Sequence, residues 1–165
     1  MALKTSSTQR IIGLDPGLRH CGWGVIEQSG NHLRFIACGR VNPQIEGEMA
    51  ERLQDLYLKL TEIFNEYQPD KAAVEQVFQN KNPESTLKLG HARGVVLLSA
   101  SLRGIRVSEY ATRSVKKALV GTGAAEKSQV EAMVRILLPQ SNPQDADAAD
   151  ALAVAICDSH HQHIS

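Results

Sequence analysis

Residues 10–17, RIIGLDPG, set the apolar run Ile11-Ile12-Gly13-Leu14 against Asp15, which is followed at once by Pro16-Gly17. An apolar run closed by Pro-Gly reads as a buried strand ending in a turn, with a carboxylate at its carboxyl end. A second run, AAVE at 72–75, ends the same way on Glu75. A third stretch, DADAADALAVAI at 145–156, opens an Ala-rich helix with Asp147 and Asp150. Acids at the ends of buried strands are costly without a partner. Of the Lys and Arg residues, only Arg19 and Lys71 lie within four residues of any of these four carboxylates. A hard divalent cation, which takes oxygen ligands, would compensate the set together. The first expectation is therefore a metal-dependent enzyme whose site is assembled from distant parts of the chain.

The chain of 165 residues fits one domain with a real core, and 42% hydrophobic with 22% charged residues excludes a disordered or fibrous class. Its apolar stretches, such as 95–100, are far too short to span a bilayer. The start, MALKTSSTQR, lacks the apolar core of a signal peptide. Cys21, Cys38 and Cys157 are odd in number and contain no CxxC pair, which predicts reduced thiols in a cytoplasmic protein. Net charge is zero, yet it is unevenly spread. Residues 79–127 carry nine Lys or Arg against three acids, while 44–75 carry three against eight. Solvated helix faces would produce part of this. A basic middle beside an acidic set also suits a metal-dependent nuclease, with phosphates held by one region and metal by the other.

Three β-like runs at 10–15, 21–28 and 33–41, joined by Pro16-Gly17 and Ser29-Gly30-Asn31, predict an antiparallel meander. Met49, Leu53, Leu56, Leu60, Ile63 and Tyr67 then recur every three or four residues, one face of a helix that ends near Pro69. Residues 71–77 read as a short buried strand, 84–103 as a long helix apolar over much of its circumference, and 105–110 as a strand. Helices are expected over 112–119, 126–138 and, after a loop at 139–143, over 145–158. A helix apolar on so many sides is covered by its own core or by a second subunit. Gly90 and Gly94, four apart, would let another backbone come close. The order β-β-β-α-β-α-β-α-α-α is that of an α/β domain, one mixed sheet flanked by helices. Residues 1–9 and 159–165 are expected to be flexible ends.

Each acid alone admits a plainer role. Asp15 would form a turn, Glu75 would meet solvent at a strand end, and Asp147 and Asp150 would cap a helix and favour its dipole. Together they change the reading, because two strands and a helix N-terminus deliver acids to the edge where open sheets build sites. Asp147 and Asp150 lie about 60° apart around a helix, whereas Asp145 is about 160° from Asp147, so Asp145 is expected to cap instead.

The segments IIGLDPGLRHCGWGVI, AAVEQVFQNKN, LKLGHARGV, VKKALVGTGAAEKSQV and DADAADALAVAI, in that order, closely resemble the RuvC family of crossover (Holliday) junction endonucleases. The resemblance covers residues 10–158. It implies a ribonuclease H-like fold, a five-stranded mixed sheet flanked by helices, in a homodimer. It maps the family's catalytic acids onto Asp15, Glu75, Asp147 and Asp150, as ligands of two Mg²⁺ ions for which Mn²⁺ substitutes. The implied reaction is resolution of four-way junction DNA by paired symmetric nicks in recombination and repair, leaving 5′-phosphate and 3′-hydroxyl ends. The implied partner is the RuvA–RuvB branch-migration complex, and no membrane is involved.

The same resemblance assigns DNA contacts to Phe78, which would stack on bases at the junction, and to Lys81, Lys116 and Lys127. On residue type alone, Phe78 also reads as an edge-of-core ring, and the lysines as helix-surface charge with Lys117 next door. Arg19 matches the family without an assigned role. The chain departs from the family at Cys21, Trp23 and His91, and Asp145 adds a fifth acid; none of these touches the four. Rival readings are a non-catalytic junction binder, a nucleotide-binding module of the actin and sugar-kinase kind, and a nuclease for RNA–DNA hybrids. The first would have no need of all four acids. The second needs another lobe, and the third is disfavoured by Phe78 and the apolar helix through the roles that the resemblance implies for them.

Overall fold

Residues 7–44, 46–76 and 82–161 are described by the computed structural model. Strands β1 (Gln9–Asp15), β2 (Cys21–Ser29) and β3 (His32–Val41) form the expected antiparallel meander. Gly30 turns the chain between β2 and β3 at φ +59°, in the left-handed region that favours glycine. β4 (Lys71–Gln76) joins β1 in parallel, and β5 (Arg106–Ala111) joins β4 in parallel. The sheet order is β3-β2-β1-β4-β5, so the carboxyl ends of β1 and β4 lie side by side.

Strand alternation sorts side chains into two cores. Ile12, Leu14, Ala72 and Val74 pack with Leu56, Leu60 and Phe64 of α1 (Met49–Tyr67) and Val96 of α2 (Pro83–Ser101). Full burial of Leu56, Leu60 and Phe64 stabilises the fold by about 1.5–3 kcal/mol each. On the other face, Ile11 and Ala73 pack with Val115 of α3 (Thr112–Val120), Val130 and Val134 of α4 (Lys127–Leu137), and Leu152 and Ile156 of α5 (Ala146–His161). Helix α1 starts at a capping box of Glu48 and Glu51 and ends where Gln68 takes φ +46° ahead of Pro69. Helix α2 starts at Asn82, whose Oδ1 accepts the Glu84 N–H at 2.9 Å, with Pro83 as its first residue.

Two expected boundaries move. Gln9, expected in the N-terminal extension, already belongs to β1. Helix α5 continues to His161 with Ser159 fully buried, so residues 159–161 belong to the helix. Polar residues there read as a tail, but Ser159 donates its hydroxyl to the Ile156 carbonyl at 2.6 Å and is satisfied inside the fold. Helix α2 buries Ala92, Val96, Ser99 and Ala100 while Leu87 and Leu98 remain more than half exposed. Cys21, Cys38 and Cys157 are free thiols. No helix among the described residues is long and apolar enough to cross a membrane.

Candidate active site

Leu14 and Val74 are partners across the parallel β1–β4 ladder, and both belong to the core on the α1 and α2 side. The next residue on each strand must therefore project to the opposite face, toward α5. Those residues are Asp15 and Glu75.

Helix α5 can reach them because the sheet beneath it is stripped of side chains. A Cβ on Gly22, the cross-strand partner of Asp15, would lie 2.0 Å from the Asp147 carbonyl oxygen. One on Gly13 would lie 1.9 Å from the carbonyl oxygen of Ala151. Glycine is thus required at both positions by the closeness of the helix. Asp145 caps α5 as expected, its Oδ1 accepting the Ala148 N–H at 2.8 Å. Asp147 and Asp150 are left to face the strand ends.

The four carboxylates share one electrostatic environment. Burial pushes the Asp15 carboxyl up to about 8, and the charges of Glu75, Asp150 and Asp147 push in the same direction. Burial also raises Glu75, against the Thr112 hydroxyl, which donates to Glu75 Oε1 at 2.8 Å. Asp150 is raised by burial too, opposed by Lys127, whose Nζ lies 3.1 Å from Asp150 Oδ2. Burial works against the Lys127 charge, but the hydrogen bond to Asp150 and the charges of Asp150, Glu131 and Asp15 together outweigh it and raise the ammonium. Arg40 on β3 approaches Asp147 Oδ2 at 3.7 Å. Among the described residues, no three Asp, Glu, His or Cys side chains converge into a closed cation cage. Mutual repulsion of uncompensated carboxylates opposes such convergence.

The acids border two open clefts. Glu75 and Asp150 line one with Thr112, Lys116 and Lys127. Asp15 and Asp147 line the other, of about 630 Å³, with Arg19, Arg52 and Lys88. The structure therefore brings Lys116 and Lys127 to the acids and leaves Lys117 on an exposed face. Phe78 and Lys81 lie outside the described residues. Sequence reading missed Thr112, Arg40 and Arg93. Arg93 donates to the Glu75 carbonyl at 2.7 Å and pairs with Glu109, tying down the end of β4. The expectation that the acids lack basic partners holds only along the chain; Lys127 and Arg40 reach them through space.

A family model described as crossover junction endodeoxyribonuclease RuvC matches residues 11–158. A crossover junction endodeoxyribonuclease RuvC of Azorhizobium caulinodans is 54% identical over 158 residues, 96% of this chain and 94% of that protein. Thermus thermophilus RuvC, solved in complex with a Holliday junction substrate, superposes with a TM-score of 0.88 at 32% identity, covering 94% of this chain and 96% of that one. The yeast mitochondrial Holliday junction resolvase Ydc2 shares the fold, with a TM-score of 0.68 at 13% identity over 96% of this chain and 84% of its own. The mixed five-stranded sheet, its helices and the matched segments agree, and the chain belongs to the RuvC family of crossover junction endodeoxyribonucleases.

Proposed function

We propose that this chain resolves four-way junction DNA by paired symmetric nicks, with Asp15, Glu75, Asp147 and Asp150 as the catalytic carboxylates. One observation carries the reading: acids from three separate elements lie near enough at one sheet edge for Glu75, Asp150 and Asp147 each to add to the burial that pushes Asp15 up to about 8. The donor set fits hard divalent cations. It is all carboxylate oxygen, and burial raises Asp15, Glu75 and Asp150, which a cation would offset. The four would hold two Mg²⁺ ions, with Mn²⁺ as a substitute. When bound, such ions supply an activated water and charge neutralisation at the leaving 3′ oxygen, consistent with 5′-phosphate and 3′-hydroxyl ends.

The chain's own residues orient the reaction. Thr112 holds the Glu75 carboxylate, and Lys116 and Lys127 stand on the cleft wall where phosphate oxygens would approach. Arg19, Arg52 and Lys88 extend the positive wall on the Asp15 side. Phe78, three residues beyond Glu75, would stack on unpaired bases, with Lys81 on the adjacent backbone. A substrate of near two-fold symmetry calls for a homodimer, for which α2 offers its uncovered leucines. The RuvA–RuvB complex would deliver the junction.

A cleavage assay comparing junction, duplex and RNA–DNA hybrid substrates in Mg²⁺ or EDTA tests this function. Paired nicks on the junction in Mg²⁺ alone are expected. Equal cleavage of all three substrates, or cleavage in EDTA, would overturn it.

A further inference from the structure

Helix α5 meets the sheet over three glycines, Gly13, Gly22 and Gly24. At Gly13 and Gly22 the nearest atoms are helix backbone or an alanine methyl, while the Leu152 side chain sits over Gly24. Backbone on backbone brings the carboxylates close, but under the Asp147 end it supplies no interlocking ridge of the kind that fixes how far a helix slides along its support.

The far end of α5 is held differently. Asp158, 3% exposed, lies 2.8 Å from Nζ of Lys71, itself 5% exposed, and accepts the Tyr110 hydroxyl at 2.7 Å. The Lys71 contact is off the line of a hydrogen bond and is an ion pair. The His161 ring covers Tyr110 at a centroid distance of 4.9 Å. Each partner sits on an element that ends in the acidic site. Lys71 opens β4, which carries Glu75. Tyr110 lies two residues before Thr112, which donates to Glu75. Asp158 follows Asp147 by eleven residues, about 16 Å along the helix and about 20° around it. Buried ion pairs are often replaceable by apolar residues without loss of stability, so stability alone does not account for this one.

We infer that Lys71, Asp158 and Tyr110 form a register pin: positioning residues that set where α5 presents Asp147 and Asp150 against Asp15 and Glu75. The inference rests on the metal-site reading above. Its test compares wild type with Lys71→Met/Asp158→Leu, which removes both buried charges, and with Tyr110→Phe, which keeps the pair. Mn²⁺ binding without DNA is measured by calorimetry, beside thermal melting, junction affinity and single-turnover cleavage. The double variant should melt no lower than wild type and bind junction equally well. It should bind Mn²⁺ about tenfold or more weakly and cleave correspondingly slowly. Tyr110→Phe should show a smaller loss of the same kind.

Wild-type Mn²⁺ affinity and cleavage rate in a folded double variant would overturn the pin while leaving the metal site standing. Should the double variant fail to fold, wild-type Mn²⁺ affinity in Tyr110→Phe overturns it. A wild type that binds no Mn²⁺ removes the metal-site reading, and the pin with it.

Discussion

A carboxyl held at about 8, as Asp15 is, keeps a proton that the unfolded chain gives up near its ordinary value of about 4. Across that window the folded protein binds more protons than the unfolded chain, so Asp15 lowers stability as pH rises from about 4 to about 8. Glu75 and Asp150 are raised as well and act with the same sign. In EDTA, wild-type melting temperature should fall relative to Asp15→Asn as pH increases through this range, and Mg²⁺ should restore most at the alkaline end. A difference that does not change with pH would show that Asp15 is already ionised. Thr112 makes a second prediction at this scale. Thr112→Val removes the hydroxyl that lowers Glu75, so the acid limb of the pH–rate profile should move upward. Metal affinity should drop about tenfold, as for lost partners of ligating carboxylates, and Thr112→Ser should recover both.

The start of helix α5 gathers three aspartates within six residues, one just before it and two inside it, and gives them two roles. Asp145 caps the helix, and Asp147 and Asp150 face the strand ends. Asp147→Asn and Asp150→Asn should nearly abolish cleavage while leaving junction binding intact or tighter, since lost negative charge eases phosphate approach. Asp145→Asn should stay within a few-fold of wild type because Asn also caps. A severe defect in Asp145→Asn beside an active Asp147→Asn would show the two roles to be exchanged. The same helix depends on Gly22. Gly22→Ala places a methyl 2.0 Å from the Asp147 carbonyl oxygen, in backbone that cannot swing aside. It should cost about 1–3 kcal/mol or more in a urea melt and lose cleavage even where the protein still folds. Much of this was readable in advance, because strand-end acids, helical period and capping spacing are local patterns. The small residues along 145–156 suit a closely packed helix, and Gly13, Gly22 and Gly24 complete that surface only when β1 and β2 pair.

Across the whole molecule, the unread part of the site consists of contacts between distant residues. Lys127 meets Asp150 across 23 positions and Thr112 meets Glu75 across 37, and neither pairing leaves a trace in local spacing. Asp158 was hidden for a related reason: a charged residue followed by Ser and His reads as surface until Lys71 is seen beside it. The long helix was legible in its excess of apolar positions, and its open side is where assembly is expected. Leu98 is 54% exposed and Leu87 63% exposed, while a Cβ at Gly90 or Gly94 meets nothing within 4 Å. Gly94→Glu should therefore leave the protomer's own packing intact. If two protomers meet through α2, the new carboxylate becomes a buried, unpaired charge and association weakens. Sedimentation at micromolar concentration should give a dimer for wild type and mostly monomer for the variant. The variant should still nick single strands but lose the pairing of cuts on the junction, because two sites are no longer held together. A monomeric wild type that still makes paired nicks would remove α2 from the assembly.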